Sequence, residues 1–239
     1  MHPAVESLFE GATRRYARVG RVAWHTARGK LRHDPVYFTL LKRGMLPARG
    51  RLYDLGCGQG LLMALLLAAR DEYRAGRWPA GWAMPPLDLE LHGIELRADR
   101  VRTARVAVGE HASVEVQDIR AVELAPCQAI VLLDVLLYLC PAAQRRVLEK
   151  AGRSLAAQGV LLLRETDAGR GAAFQFTRMA ERFWQATRGH WGTLHYRSDG
   201  QWARLLDEMG FDVTSERADE GTPFANTLHI GRRRSACIR

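Results

Sequence analysis

No apolar run in this chain is long enough to cross a bilayer: the longest uninterrupted stretch near the glycine-rich segment, Leu61 to Ala69, falls far short of the ~20 residues a spanning helix needs. A membrane span is excluded. The four cysteines, Cys57, Cys127, Cys140 and Cys237, show neither C-x-x-C spacing nor clustering with other metal ligands, which argues against a cysteine metal site and for reduced thiols. The amino-terminal residues lack the basic start and apolar stretch of a secretory signal, so a cytoplasmic protein is expected. There is no internal repeat and no low-complexity linker, hence no domain boundary to place. Lysine is scarce as well. Lys30, Lys42 and Lys150 are the only three among 239 residues, and the formal charge of +9 is carried overwhelmingly by arginine, much of it between Arg14 and Arg51 and in Arg232, Arg233 and Arg234. Such a surface attracts acidic partners, or is a solvated face with no partner at all.

What the chain does contain is a short apolar strand ending in an acid and running into glycines at alternate positions, Leu52-Tyr-Asp-Leu-Gly-Cys-Gly-Gln-Gly60. Gly56, Gly58 and Gly60 strip the side chains from one side of a strand-to-helix turn, so that a nucleoside cofactor can lie on bare backbone. Asp54 sits two residues before the first glycine, where a pyrophosphate would be repelled. A cationic, phosphate-free cofactor fits better. Three further strand-like segments each close on an acid: Glu95, followed by Leu96, could accept both hydroxyls of a ribose; Asp118, followed by Ile119, could accept an adenine amino group while Ile119 packs on the ring; and Asp134 ends the buried run Ala129 to Leu133. Taken one at a time, Asp118 and Asp134 read equally well as turn or cap residues.

Together these motifs resemble the class I S-adenosylmethionine (SAM) dependent methyltransferases, and the likeness covers nearly everything from Leu52 onward. The resemblance implies a Rossmann-like α/β fold, a seven-stranded, mostly parallel sheet with helices on both faces and the last strand antiparallel. It implies SAM as cofactor and S-adenosylhomocysteine as product, held by Asp54, Gly56, Cys57, Gly58, Gly60, Glu95, Leu96, Asp118, Ile119 and Asp134. A single methyltransferase domain is expected over 1–239, with a helical cap (1–48), a SAM-binding core (49–165), a helical lid insertion (166–200) and a terminal strand pair (201–239). Helices are predicted between Val5 and Leu46 and from about Ala142 to Ala157, and strands at Gly159 to Glu165, Phe211 to Arg217 and Asn226 to Gly231. One departure stands out: Asp54 and Glu95 lie about twice as far apart as the ~20 residues usual in nucleotide folds, because Arg70 to Leu87, read as a surface loop, is inserted between them.

The sheet binds the cofactor, whereas added segments choose the acceptor. The cap offers Tyr16, Trp24, His25, Lys30, His33 and Tyr37, and the lid offers Arg170, Phe174, Phe176, Arg178, Phe183, Trp184, His190, Trp191, His195 and Tyr196. A hydroxyl acceptor needs a base, for which His190 and His195 lead, followed by Glu165, His25 and Tyr138. Each reads equally as a packing residue. The Asn/Asp-Pro-Pro-aromatic motif of base-directed amino-methyltransferases is absent after the fourth strand, which speaks against nucleic-acid bases. After the fifth strand, Glu165-Thr-Asp167 replaces the Asp-Asn pair of magnesium-dependent catechol-type enzymes, so no metal is assigned. The segments Ala27 to Pro35, Arg188 to Trp191 and His195 to Ser198 resemble methyltransferases of bacterial aryl polyene or xanthomonadin-type pigment clusters. That likeness implies a small-molecule phenolic or polyene acid acceptor, carried on an acidic acyl carrier protein that the basic amino-terminal region would dock. An RNA methyltransferase and a non-catalytic SAM-binding regulatory or scaffold protein remain as alternatives.

Overall fold

The structure, a computed structural model, describes residues 3–187 and 192–234. Its seven strands are β1 (Arg49–Leu55), β2 (Asp88–Glu95), β3 (Ser113–Val116), β4 (Cys127–Leu133), β5 (Leu155–Thr166), β6 (Phe211–Arg217) and β7 (Asn226–Arg233), in one sheet of order β3-β2-β1-β4-β5-β7-β6. The pairs β1–β2 and β2–β3 are parallel, while β7 runs antiparallel to both β5 and β6. This is the predicted methyltransferase topology. The residue contacts divide the chain into two compact units, one holding the residues before Leu124 together with Cys127–Ile130, the other Leu124–Pro126 and the residues from Val131 on.

In the first unit the helices are α1 (Pro3–Arg14), α2 (Arg21–His33), α3 (Val36–Lys42), α4 (Leu61–Arg74) and α5 (Ala98–Val108). Every residue of α4 from Leu61 to Ala69 is buried, because this helix is apolar on all sides and is covered on all sides. Its far end is fixed by Glu72, a buried carboxylate that accepts from Ser7 Oγ at 2.8 Å and from both Nε and Nη2 of Arg77. The helix extends to Arg74, so the inserted segment is shorter than the sequence suggested. Nor is it merely a surface loop. Trp78 meets Trp82 edge-on at 5.7 Å, Trp82 meets Phe38, and Pro79, Pro85 and Pro86 are buried, while Arg70 donates to the carbonyls of Pro86 and Leu89. The insertion is therefore closed off by its own aromatic packing before β2 begins, and Glu95 still ends that strand.

The second unit contains α6 (Pro141–Ser154), α7 (Gly171–Thr187) and α8 (Asp199–Glu208). Here α6 ends earlier and β5 starts earlier than predicted, with Gln158 at φ 62° inside the strand. Ser198 and Gln201 form a reciprocal capping box at the start of α8. On β7, His229 is completely buried, its Nδ1 2.9 Å from Ser215 Oγ and 3.6 Å from Asp199 Oδ1, with Nε2 unpartnered. Burial lowers its pKa from the ordinary 6.5 to about 4, although Asp199 and Asp167 oppose the shift. Between these values the unfolded chain binds a proton that the folded one refuses, so stability falls as pH drops, by up to about 3 kcal/mol at pH 4 for this group alone. Urea unfolding at pH 7 and pH 4.5 tests this: His229→Gln should lose less stability on acidification than the parent protein, and equal losses would remove His229 as the cause.

Candidate functional site

The glycine turn is built by backbone geometry that only glycine adopts without strain. Gly56, Gly58 and Gly60 have φ of 80°, 57° and 76°, and the amides of Gly56 and Cys57 both donate to the Ile94 carbonyl, at 2.7 and 3.1 Å. Opposite, Gly93 has no room for a side chain, since a Cβ there would lie 2.6 Å from Met63 Cε and 2.8 Å from Cys57 Sγ. A Cβ on Gly58, in contrast, would meet no heavy atom within 4 Å. The turn is packed from below and open above.

Acids lie at or just beyond the carboxyl ends of the three neighbouring strands. Glu95 is buried; one carboxylate oxygen accepts from Gly58 N at 3.0 Å and the other from Arg97 N at 2.9 Å, with Arg100 3.8 Å away. Each oxygen keeps a lone pair, so the pair can also receive two ribose hydroxyls. Leu96 beside it is exposed, an apolar side chain left uncovered at the mouth. Asp54 is buried and its carboxyl is pushed up to about 7, chiefly by burial and further by Glu95, while the positive charge of Lys30 opposes the rise. Asp118 lies two residues past the end of β3, its carboxylate gripped by the Arg120 guanidinium, and Ile119 is buried. Carboxylates around bare backbone suit a cation-bearing nucleoside such as SAM, which when bound supplies an electrophilic methyl group on its sulfonium sulfur.

Two cap residues do more than the sequence indicated. Tyr16, wholly buried, donates its hydroxyl to the Gln59 carbonyl at 2.9 Å, so the amino-terminal helices hold the glycine turn directly. Lys30 reaches back from α2 over the Tyr37 ring, 5.6 Å from its centroid, and its charge bears on Asp54. Neither contact has a signature in sequence spacing.

In the second unit the residues expected to do the chemistry converge on the turn after β4. Asp134, at φ 59°, accepts from Nε and Nη2 of the buried Arg164 and donates its own amide to the Arg164 carbonyl. Glu165, only 2% exposed, accepts from Val135 N at 3.1 Å and from Leu136 N at 2.6 Å. Burial, and then Asp134, raise its pKa to about 8 against the pull of those amides. Its carboxylate thus grips the turn, whereas a base would face an acceptor. Tyr138 is exposed and donates to Glu181 Oε2 at 3.2 Å. His195 is tied by its main chain, its amide donating to the Leu137 carbonyl and its carbonyl accepting from Gln144 Nε2. Gln144, fully buried, also donates to the Leu136 carbonyl and accepts from Arg197 Nε at 2.7 Å. Asp134, Tyr138, Glu165 and His195 are therefore brought to one place by two residues the sequence gave no reason to select, Arg164 and Gln144. His190 and Trp191 lie outside the described residues.

Comparison with known proteins agrees with this geometry. A protein-family model described as a methyltransferase domain matches residues 23–216. A carboxy-S-adenosyl-L-methionine synthase of Chromohalobacter salexigens is 34% identical over 119 residues, which span 48% of this chain and 39% of that protein. The chain thus matches well under two thirds of the length of this curated relative. Among solved structures, an O-methyltransferase family protein from Burkholderia thailandensis superposes with a TM-score of 0.62 at 20% identity, covering 88% of this chain and 58% of that one. Human N-acetylserotonin methyltransferase in complex with SAM gives 0.58 at 17% identity, covering 87% and 52%. With the glycine turn, its acids and the sheet order already in place, the match over most of the chain shows that it belongs to the methyltransferase-domain family, whose members of this fold depend on S-adenosylmethionine.

Proposed function

We propose that this protein transfers the methyl group of SAM to oxygen on an aromatic or carrier-bound small-molecule acceptor, as in the synthesis of aryl polyene-type pigments. The reading rests chiefly on the open backbone above Gly58 with Glu95 and Leu96 at its edge. In this reading Asp54, Gly56, Cys57, Gly58, Gly60, Glu95, Leu96, Asp118, Ile119 and Asp134 contact the cofactor, and the cap and lid select the acceptor. His195 is the candidate base among the described residues, because its backbone is held on both sides next to Tyr196 and the residue is only half-buried. Arg18, in the turn before α2, and Arg21, at its start, are exposed and support docking of an acidic carrier protein.

A thermal-denaturation series tests the assignment. SAM and S-adenosylhomocysteine should stabilise the protein by about 2.7 kcal/mol at a hundredfold excess over Kd, and NAD should not. Removing the charge-assisted bonds of Glu95 should weaken SAM binding by roughly ten- to a hundredfold in Glu95→Ala, with saturating SAM restoring most of the rate. Unchanged affinity in that variant would assign the ribose to another residue, and a midpoint moved by NAD alone would overturn the reading.

A further inference from the structure

The outer face of helix α7 carries apolar side chains, Phe176, Met179 and Phe183, spaced i, i+3, i+7 and exposed. Thr177 is its buried residue, accepting from Ala225 N, and on the flank beside it Phe174, Arg178, Glu181 and Gln185, spaced i, i+4, i+7, i+11, are half-buried. Each of these four residues has a partner. Phe174 meets the Tyr196 ring edge-on with centroids 5.1 Å apart, and Arg178 lies over Phe174 at 5.9 Å. Glu181 accepts from the Tyr138 hydroxyl, and Gln185 Nε2 donates to the Gly192 carbonyl. Phenylalanines left in water beside a half-buried flank of mixed aromatic and charged residues are poorly explained by packing alone. Lining a polar ligand site accounts for the half-buried flank.

Two more observations say what that ligand carries. Among the described residues the buried Tyr196 hydroxyl has no hydrogen-bond partner, a donor and acceptor taken out of water for no return. It stays protonated at physiological pH, because burial and then the negative charge of Glu181 raise its pKa to about 12, against the opposing charges of Arg182 and Arg178. Arg178 and Arg182 lie one helical turn apart, and among the described residues no carboxylate is within ion-pairing distance of either. Glu181 brings one negative charge against their two positive ones. Arg178 thus offers a guanidinium with no carboxylate partner among the described residues, beside the Tyr196 hydroxyl and two aromatic rings.

We propose that Phe174, Arg178, Tyr138 and Tyr196 form an acceptor subsite for an aromatic or conjugated carboxylate, its π-system packed on Phe174 and Tyr196 and its carboxylate taken by Arg178 with a hydrogen bond from the Tyr196 hydroxyl. The inference rests on the methyltransferase reading and narrows its acceptor to an acid. A neutral ester of the same ring system would fit the aromatic part and leave the guanidinium unpaired, so discrimination falls on the carboxylate.

Titration calorimetry with 4-hydroxycinnamate and its methyl ester, with and without S-adenosylhomocysteine, tests it. The acid should bind at least about tenfold more tightly than the ester, and Arg178→Met should remove that preference. Tyr196→Phe should weaken the acid by several-fold without lowering the melting temperature, since the hydroxyl has no partner among the described residues to lose. Equal binding of acid and ester, a preference that survives Arg178→Met, or no binding of the acid at millimolar concentration each overturns the subsite. Binding of S-adenosylhomocysteine without the acid overturns the subsite alone, whereas binding of the acid without S-adenosylhomocysteine overturns the methyltransferase reading and leaves the subsite standing.

Discussion

Gly58→Val should abolish the stabilisation that SAM and S-adenosylhomocysteine confer, taking a shift of about 2.7 kcal/mol at a hundredfold excess to zero. The added branched side chain meets no heavy atom within 4 Å in the protein itself, so it occupies the space above the turn without disturbing what lies below. What the fold loses is local. A β-branched residue at φ 57° costs on the order of 1–2 kcal/mol, which lowers the ligand-free midpoint modestly and leaves a cooperative transition to measure. The contrast is Gly93, whose missing side chain is required by Met63 and Cys57 rather than by a ligand. There a new Cβ would be felt in the ligand-free protein. Full retention of the SAM shift in Gly58→Val would mean that the cofactor does not cross this backbone, and the assignment of the glycine turn would fall with it.

That the turn is legible in the sequence follows from what it demands of the chain. A strand that ends in an acid and turns through three left-handed residues can be written in few ways, and Asp54-Leu-Gly-Cys-Gly-Gln-Gly60 is one of them. Buried parallel strands are equally plain, since both faces must be apolar, and Phe211–Arg217 was bounded correctly by its flanking helix and turn. The end of α6 was not, because Ala156, Ala157 and Gln158 favour a helix by propensity and are drawn into β5 by pairing that no local pattern records. The inserted segment misled for a related reason. Its prolines and tryptophans look like a loop, and only the packing of Trp78, Trp82 and Phe38 shows that it is partly buried. Long-range polar contacts were the least readable. Lys30 near Asp54, Arg164 on Asp134 and Gln144 between Leu136 and His195 join residues far apart in sequence, and each is an ordinary residue of its type until the fold brings its partner close.

Glu165 shows how such a contact changes a role. Its sequence position, at the end of β5 beside the lid, made it a candidate proton acceptor, yet its carboxylate is spent on the amides of Val135 and Leu136. Glu165→Ala should therefore act first on stability: two buried N–H groups lose their acceptor at about 1–3 kcal/mol each, and the turn carrying Tyr138 loses its anchor. Glu165→Gln separates the two roles, because an amide oxygen can still accept both bonds but cannot take up a proton. The pH dependence sharpens the comparison. With the folded pKa raised from 4.5 to about 8, the folded protein holds a proton that the unfolded chain has released, so the contribution to stability is present below about pH 4.5 and is lost as pH rises through 8. Glutamine resembles the protonated form at every pH. Urea unfolding at pH 4.5 should find Glu165→Gln within about 1 kcal/mol of the parent and Glu165→Ala about 2–5 kcal/mol below it, and at pH 7 Glu165→Gln should be more stable than the parent by about 3 kcal/mol. Between pH 7 and 9 the parent should lose stability faster than Glu165→Gln. Parent-like stability in Glu165→Ala at pH 4.5 would refute the anchoring role, and loss of turnover in a fully stable Glu165→Gln would return this carboxylate to the chemistry.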